Sequence, residues 1–92
     1  MEEGRRVARH LLERKWIACA SLIPHVESIY RWEGKIEQGN EVKAILKTKK
    51  ELFATVRDYI IEHCSYEVPE ICEVRVDQGN PAYLKWVLDE LV

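Results

Sequence analysis

Glycine and proline are scarce, with four of one and three of the other in 92 residues. The glycines, Gly4, Gly34, Gly39 and Gly79, stand far apart, which excludes a Gly-rich phosphate loop and a flexible linker. Cysteine is limited to Cys19, Cys64 and Cys72, without a C-x-x-C pair. An odd count at that spacing argues against a zinc ribbon or a disulfide scaffold and for free thiols in a reducing cytoplasm. No apolar run approaches the roughly 20 residues that span a bilayer. The opening "MEEGRRVARHLLERKW" is charged and amphipathic and has no apolar signal-peptide core. Basic blocks interleaved with aromatics are absent too, which argues against a nucleic-acid partner. No Ser-His-Asp or Cys-His-Asn order stands out, so the expectation is a protein that is not an enzyme.

What is present is a balanced, hydrophobic chain. It is 47% hydrophobic, with 14 basic and 16 acidic residues and a formal net charge of −2. That composition excludes a disordered chain and fits one small domain over residues 1–92, whose thin core gives partner subunits a part in stability. Residues 3–15 read as a helix with Val7, Ala8, Leu11 and Leu12 on a core-facing stripe. "IACASLI" suits a buried strand, Pro24 and His25 interrupt it with a kink or bulge, and "VESIYRW" resumes it. Gly34 makes "EGK" a tight turn. The return strand runs over residues 35–48, loosened at Gln38, Gly39 and Asn40. Residues 49–64 form a second helix with Leu52, Phe53, Val56, Tyr59, Ile60 and Cys64 on one side. "CEVRVD" alternates as a strand with Cys72, Val74 and Val76 inward. Asn80 caps a last helix at Pro81, with Tyr83, Leu84, Val87, Leu88 and Leu91 buried.

The hairpin is too long for the domain. Residues 17–32 would extend roughly 50 Å as a strand, whereas a compact chain of this size is about 30 Å across. The arm must bend at Pro24 or project beyond its core. A projecting arm with Ile29, Tyr30 and Trp32 exposes apolar surface and unpaired edges, which pairing between copies of the chain would cover.

The hairpin "SIYRWEGKIEQGNEVKAILKTK", the segment "YEVPEI" and the end "QGNPAYLKWV" together resemble the CutA family, the divalent-cation tolerance proteins. The likeness runs from about Ala8 to Val87. It rests on Tyr30, Trp32, Gly34 and Lys35, on Lys47 with Thr48, on Tyr66 with Pro69 and Glu70, and on Tyr83 with Trp86. The resemblance implies an α+β, ferredoxin-like sandwich with a long β-hairpin. It implies a homotrimer similar to PII signalling proteins and a cytoplasmic role in tolerance to copper and other divalent metal ions, with no catalysis and no required cofactor. One departure is plain: the family's usual first β-strand has no counterpart here. In a ferredoxin-like sheet its loss would leave a slot between residues 41–48 and 71–77. Each buried backbone group left unpaired there would cost about 1–3 kcal/mol.

The resemblance also points to His63 and Glu70 as copper ligands, completed by a Cys on that first strand. Cys64 and Ser65 stand where family members often have His and Pro, which makes Cys64 a third candidate. Imidazole and thiolate favour copper(I) or zinc over calcium or magnesium. Adjacent residues on a helix point about 100° apart, so His63 and Cys64 converge only if the helix has ended. The alternative gives His63 a role at the helix C-terminus and leaves Cys64 and Cys72 as core residues. His10 and His25 look isolated, with a surface role. PII-like trimers also bind small ligands between subunits. That makes Trp32, Lys35, Lys47, Tyr66 and Glu67 candidates for a ligand site, against the plainer reading of intersubunit packing and salt bridges. The expected partners are further copies of the chain and metal ions, with neither nucleic acid nor membrane.

Overall fold

The computed structural model describes residues 1–92. Helix α1, Glu2–Glu13, buries Ala8 and Leu11 and leaves Leu12 exposed. It ends in a Schellman motif that the sequence does not advertise. The Lys15 amide donates to the Leu12 carbonyl and the Trp16 amide to the Leu11 carbonyl, both at 3.0 Å. Lys15 takes the left-handed position, at φ 60°, which is usually given to glycine.

Strands β1, Cys19–Trp32, and β2, Lys35–Lys47, form an antiparallel pair. The register shifts between Ile23 and Val26, where Pro24 and His25 make the expected bulge and His25 sits at φ 58°. Glu33 and Gly34 link Trp32 to Lys35 with φ of 51° and 79°. Both central residues are left-handed, as in a type I′ turn, whose twist matches the strands. The expected loosening at Gln38, Gly39 and Asn40 does not occur. These residues pair with Ile29, Ser28 and Glu27, and Gln38 Nε2 donates to Glu27 Oε2 at 2.8 Å. A Cβ at Gly39 would meet only the Tyr30 hydroxyl, at an ordinary van der Waals distance of 3.9 Å.

After a short 3₁₀ turn, Lys50–Leu52, comes α2, Phe53–His63. Leu11 of α1, Ile17 before β1 and Val56 of α2 meet in the core, flanked by Val7, Trp16, Ala20, Leu46, Tyr59 and Ile60. The Thr48 hydroxyl donates to the Trp16 carbonyl at 2.6 Å and ties the end of β2 to that core. Helix α3, Pro81–Asp89, starts as expected, with Asn80 Oδ1 accepting from the Ala82 amide at 3.0 Å.

Two expectations fail together. The strand over residues 72–77 does not form, and Cys72, Val74 and Val76 are exposed rather than inward. A strand needs a ladder partner, and this chain offers no strand between that segment and β2. No backbone amide of residues 67–79 donates a hydrogen bond within the chain. With no sheet beside it, α3 buries only Val87, and Tyr83, Leu84 and Leu88 stay exposed. Five residues in all are buried, Ala8, Leu11, Ile17, Val56 and Val87, a small core for this length. The molecule measures 45 × 26 × 22 Å, so the hairpin projects as its length demanded.

A Cβ on Gly34 would meet nothing within 4 Å, so Gly34→Ala pays only for its left-handed backbone. We expect a loss of about 1 kcal/mol in urea unfolding, and a gain of about 1 kcal/mol for Lys15→Gly. Amide hydrogen exchange is expected to be faster across residues 67–79 than across the β1–β2 ladder.

Candidate metal and ligand site

The end of α2 decides how His63 and Cys64 are presented. The helix stops at His63, and Cys64 is extended at φ −92°, ψ 144°. The two side chains then take different partners. His63 turns back along α2, stacking on Tyr59 at 4.0 Å between ring centroids, with Nδ1 at 2.9 Å from the Tyr59 carbonyl oxygen. A carbonyl only accepts, so Nδ1 carries the proton and Nε2 keeps a free lone pair in the neutral ring. Cys64 joins a polar turn and is not an apolar core residue. Its thiol lies 3.8 Å from Glu3 Oε2, and the Tyr66 amide donates to its sulfur at 3.4 Å. Glu3 also accepts from the Ser65 amide at 3.0 Å and from the Ser65 hydroxyl at 3.2 Å. Glu70 lies exposed beyond this network. No three His, Cys, Asp or Glu side chains are grouped to hold a metal ion. His63, Cys64 and Glu70 therefore do not fit a closed metal site within one chain.

The ligand candidates also lie apart. Trp32 and Lys35 face each other at the hairpin tip, whereas Lys47 is at the other end of β2, about 40 Å away at the rise of a strand. Tyr66 and Glu67 are exposed after α2. Tyr66 lines a second cleft of about 270 Å³ with Met1, Pro24, His25, Asn40, Glu41 and Val42. Partial desolvation raises the Tyr66 phenol above the ordinary tyrosine value, and Glu41, Cys64, Glu3 and Tyr30 add to it.

His10 is not isolated. It too stacks on Tyr59, at 4.9 Å between ring centroids, and its Nε2 accepts from Arg14 Nε at 3.0 Å. Arg14 in turn lies 5.0 Å over the Trp16 ring. These residues line an open cleft of about 510 Å³ between α1 and α2, with Asp58, Glu62 and Thr55. His10 with Arg14 and Tyr59 with His63 are each four apart, so each pair was visible as a helix neighbour. The contact across two helices, and the reach of Glu3 to Ser65, had no local signal.

Residues 1–90 match the model of the CutA1 divalent ion tolerance proteins. The chain is 42% identical to the divalent-cation tolerance protein CutA of Archaeoglobus fulgidus, over 100% of this chain and 88% of that protein. It is 43% identical to the Xenopus laevis protein CutA homolog over 83 residues, 90% of this chain and 55% of the relative. It thus spans about half the length of the animal relatives it matches. The structure described as the periplasmic divalent cation tolerance protein CutA from Archaeoglobus fulgidus superposes with a TM-score of 0.94 at 40% identity, covering 98% of this chain and 87% of that one. The chain belongs to the CutA1 family. Its α+β fold is that of the family's solved structures, with a strand count consistent with a missing strand.

Removing the Glu3 carboxylate strips three donors of their acceptor. Glu3→Ala is expected to destabilise the fold by about 1–2 kcal/mol and to speed alkylation of Cys64, followed by thiol mapping. Folded Tyr66 holds its proton more tightly than the unfolded chain does, so its contribution is present below the ordinary tyrosine pKa and lost as pH rises through the folded value. Since Tyr66 is half exposed, the loss is small, and Tyr66→Phe should flatten it in alkaline unfolding curves.

Proposed function

We propose that this protein acts as a cytoplasmic homotrimer in tolerance to divalent metal ions, copper above all, through weak metal binding rather than catalysis. The observation that carries this reading is the projecting hairpin with uncovered apolar residues, Ile29 at 66% and Ile36 at 72% exposure, beside Tyr30 and Trp32. Surface of that kind calls for neighbouring subunits. Within each chain the free Nε2 of His63 is an open imidazole ligand suited to copper or zinc. With no closed set of donors around it, binding is weak. Three free thiols favour a reducing compartment, and no helix is long and apolar enough to cross a membrane. The Archaeoglobus fulgidus structure is described as periplasmic, so cell fractionation is the direct check on location.

A second reading is a PII-like regulator or scaffold. The separation of Trp32 and Lys35 from Lys47 favours it in one respect. Groups at opposite ends of a long arm come together only when the tip of one subunit meets the base of another.

Calorimetric titration with copper(I), copper(II) and zinc is expected to show weak binding that His63→Ala with Glu70→Ala abolishes. Equal binding by both proteins would sink the metal reading and leave the regulator. Light scattering is expected to give the mass of a trimer, and a stable folded monomer would contradict the assembly.

A further inference from the structure

Lys47 carries a charge that no carboxylate in the chain neutralises; the ion pairs are Arg5 with Glu2, Arg57 with Asp58, and Lys85 with Asp89. Lys47 is half-buried at the base of the hairpin, its Nζ donating to the Ser21 hydroxyl at 2.7 Å and lying 3.8 Å from the Cys19 sulfur. Cys19 and Lys47 are directly opposed in the ladder. The next bond outward, from the Ala18 amide to the Lys47 carbonyl at 2.8 Å, fixes the backbone there. The other two cysteines have no such neighbour: Cys64 faces the Glu3 carboxylate and Cys72 is exposed.

We propose that Cys19 and Lys47 form a covalent lysine–cysteine cross-link when the protein meets a peroxide. The Cys19 thiolate attacks one oxygen of hydrogen peroxide. An S–O bond forms, the O–O bond breaks, and hydroxide leaves to take up the thiol proton as water, giving the sulfenic acid. The Lys47 side chain, as its neutral amine with the ammonium proton given up to solvent, then attacks that sulfur. An S–N bond forms, the S–O bond breaks, and the hydroxyl leaves as a second water with a proton from Nζ. One thiol, one amine and one peroxide thus give one S–N bond and two waters; sulfur is oxidised by two electrons and the peroxide reduced by two. Sulfenic sulfur condenses with nitrogen in this way where an amide is held close, and here the hairpin register and the Ser21 hydroxyl hold an amine. The link removes the unneutralised cation and pins the two strands at their base. Thiol reductants reverse it.

The test uses the chain carrying Cys64→Ser with Cys72→Ser, treated with hydrogen peroxide, digested, and read by mass spectrometry. The expected product joins the peptides of Cys19 and Lys47, with the mass of the two less two hydrogens. It reverts with a thiol reductant and is absent after Lys47→Arg, where Cys19 proceeds to the sulfinic or sulfonic acid. Cys19 reaching those acids with Lys47 in place and no joined peptide would overturn the proposal, as would a joined peptide that survives Lys47→Arg. Should the double serine variant fold poorly, the same digest of the wild-type chain reads each cysteine separately.

Discussion

The hydrogen-bond ladder between β1 and β2 is the interaction on which the rest of this structure depends. It is the one place where strand backbone finds a partner, and its register places every other group. The bulge at Pro24 and His25 lets two residues oppose Val42 alone, which increases the local twist. Ile17 and Leu46, at the base, meet the helices through Leu11 and Val56. Where the ladder ends, burial ends with it: residues 65–79 form no strand, and most of α3 stays exposed.

Much of this could be read in advance because its causes are local. The helical stripe of α1, the Asn80 cap before Pro81, the turn at Gly34 and the break at Pro24 are each set by residues within a few positions of the effect. The errors have the opposite character. "CEVRVD" has the alternation of a strand, but alternation says only which face would be buried once a neighbour exists. Val74, at 85% exposure, has none. Gln38, Gly39 and Asn40 look like a break by composition, yet the ladder on either side carries them through. The left-handed Lys15 was invisible because the residue there is not glycine, and the Schellman hydrogen bonds outweigh its conformational penalty.

The site divides along the same line. The end of α2 was legible to within one residue: the apolar spacing runs to Cys64, whereas the helix stops at His63. Where the side chains go after the stop was not, because His63 answers to Tyr59 while Cys64 and Ser65 answer to Glu3, 61 and 62 residues earlier in the chain. A dense run of His, Cys and Glu in sequence thus becomes two separate hydrogen-bonded arrangements. The residues of this single chain supply the parts of a site without its convergence.

The two-residue turn at Glu33 and Gly34 carries a kinetic consequence. A hairpin closed by so short a loop forms on the scale of about 1–10 μs, zipping outward from the tip. The contact of Leu11 with Val56 has to close a loop of 45 residues and comes later. The arm is therefore complete, with both outer edges open, before the helices cover its base. Until then its unpaired backbone groups stand open to any other strand, and protein concentration during folding governs how often they meet one.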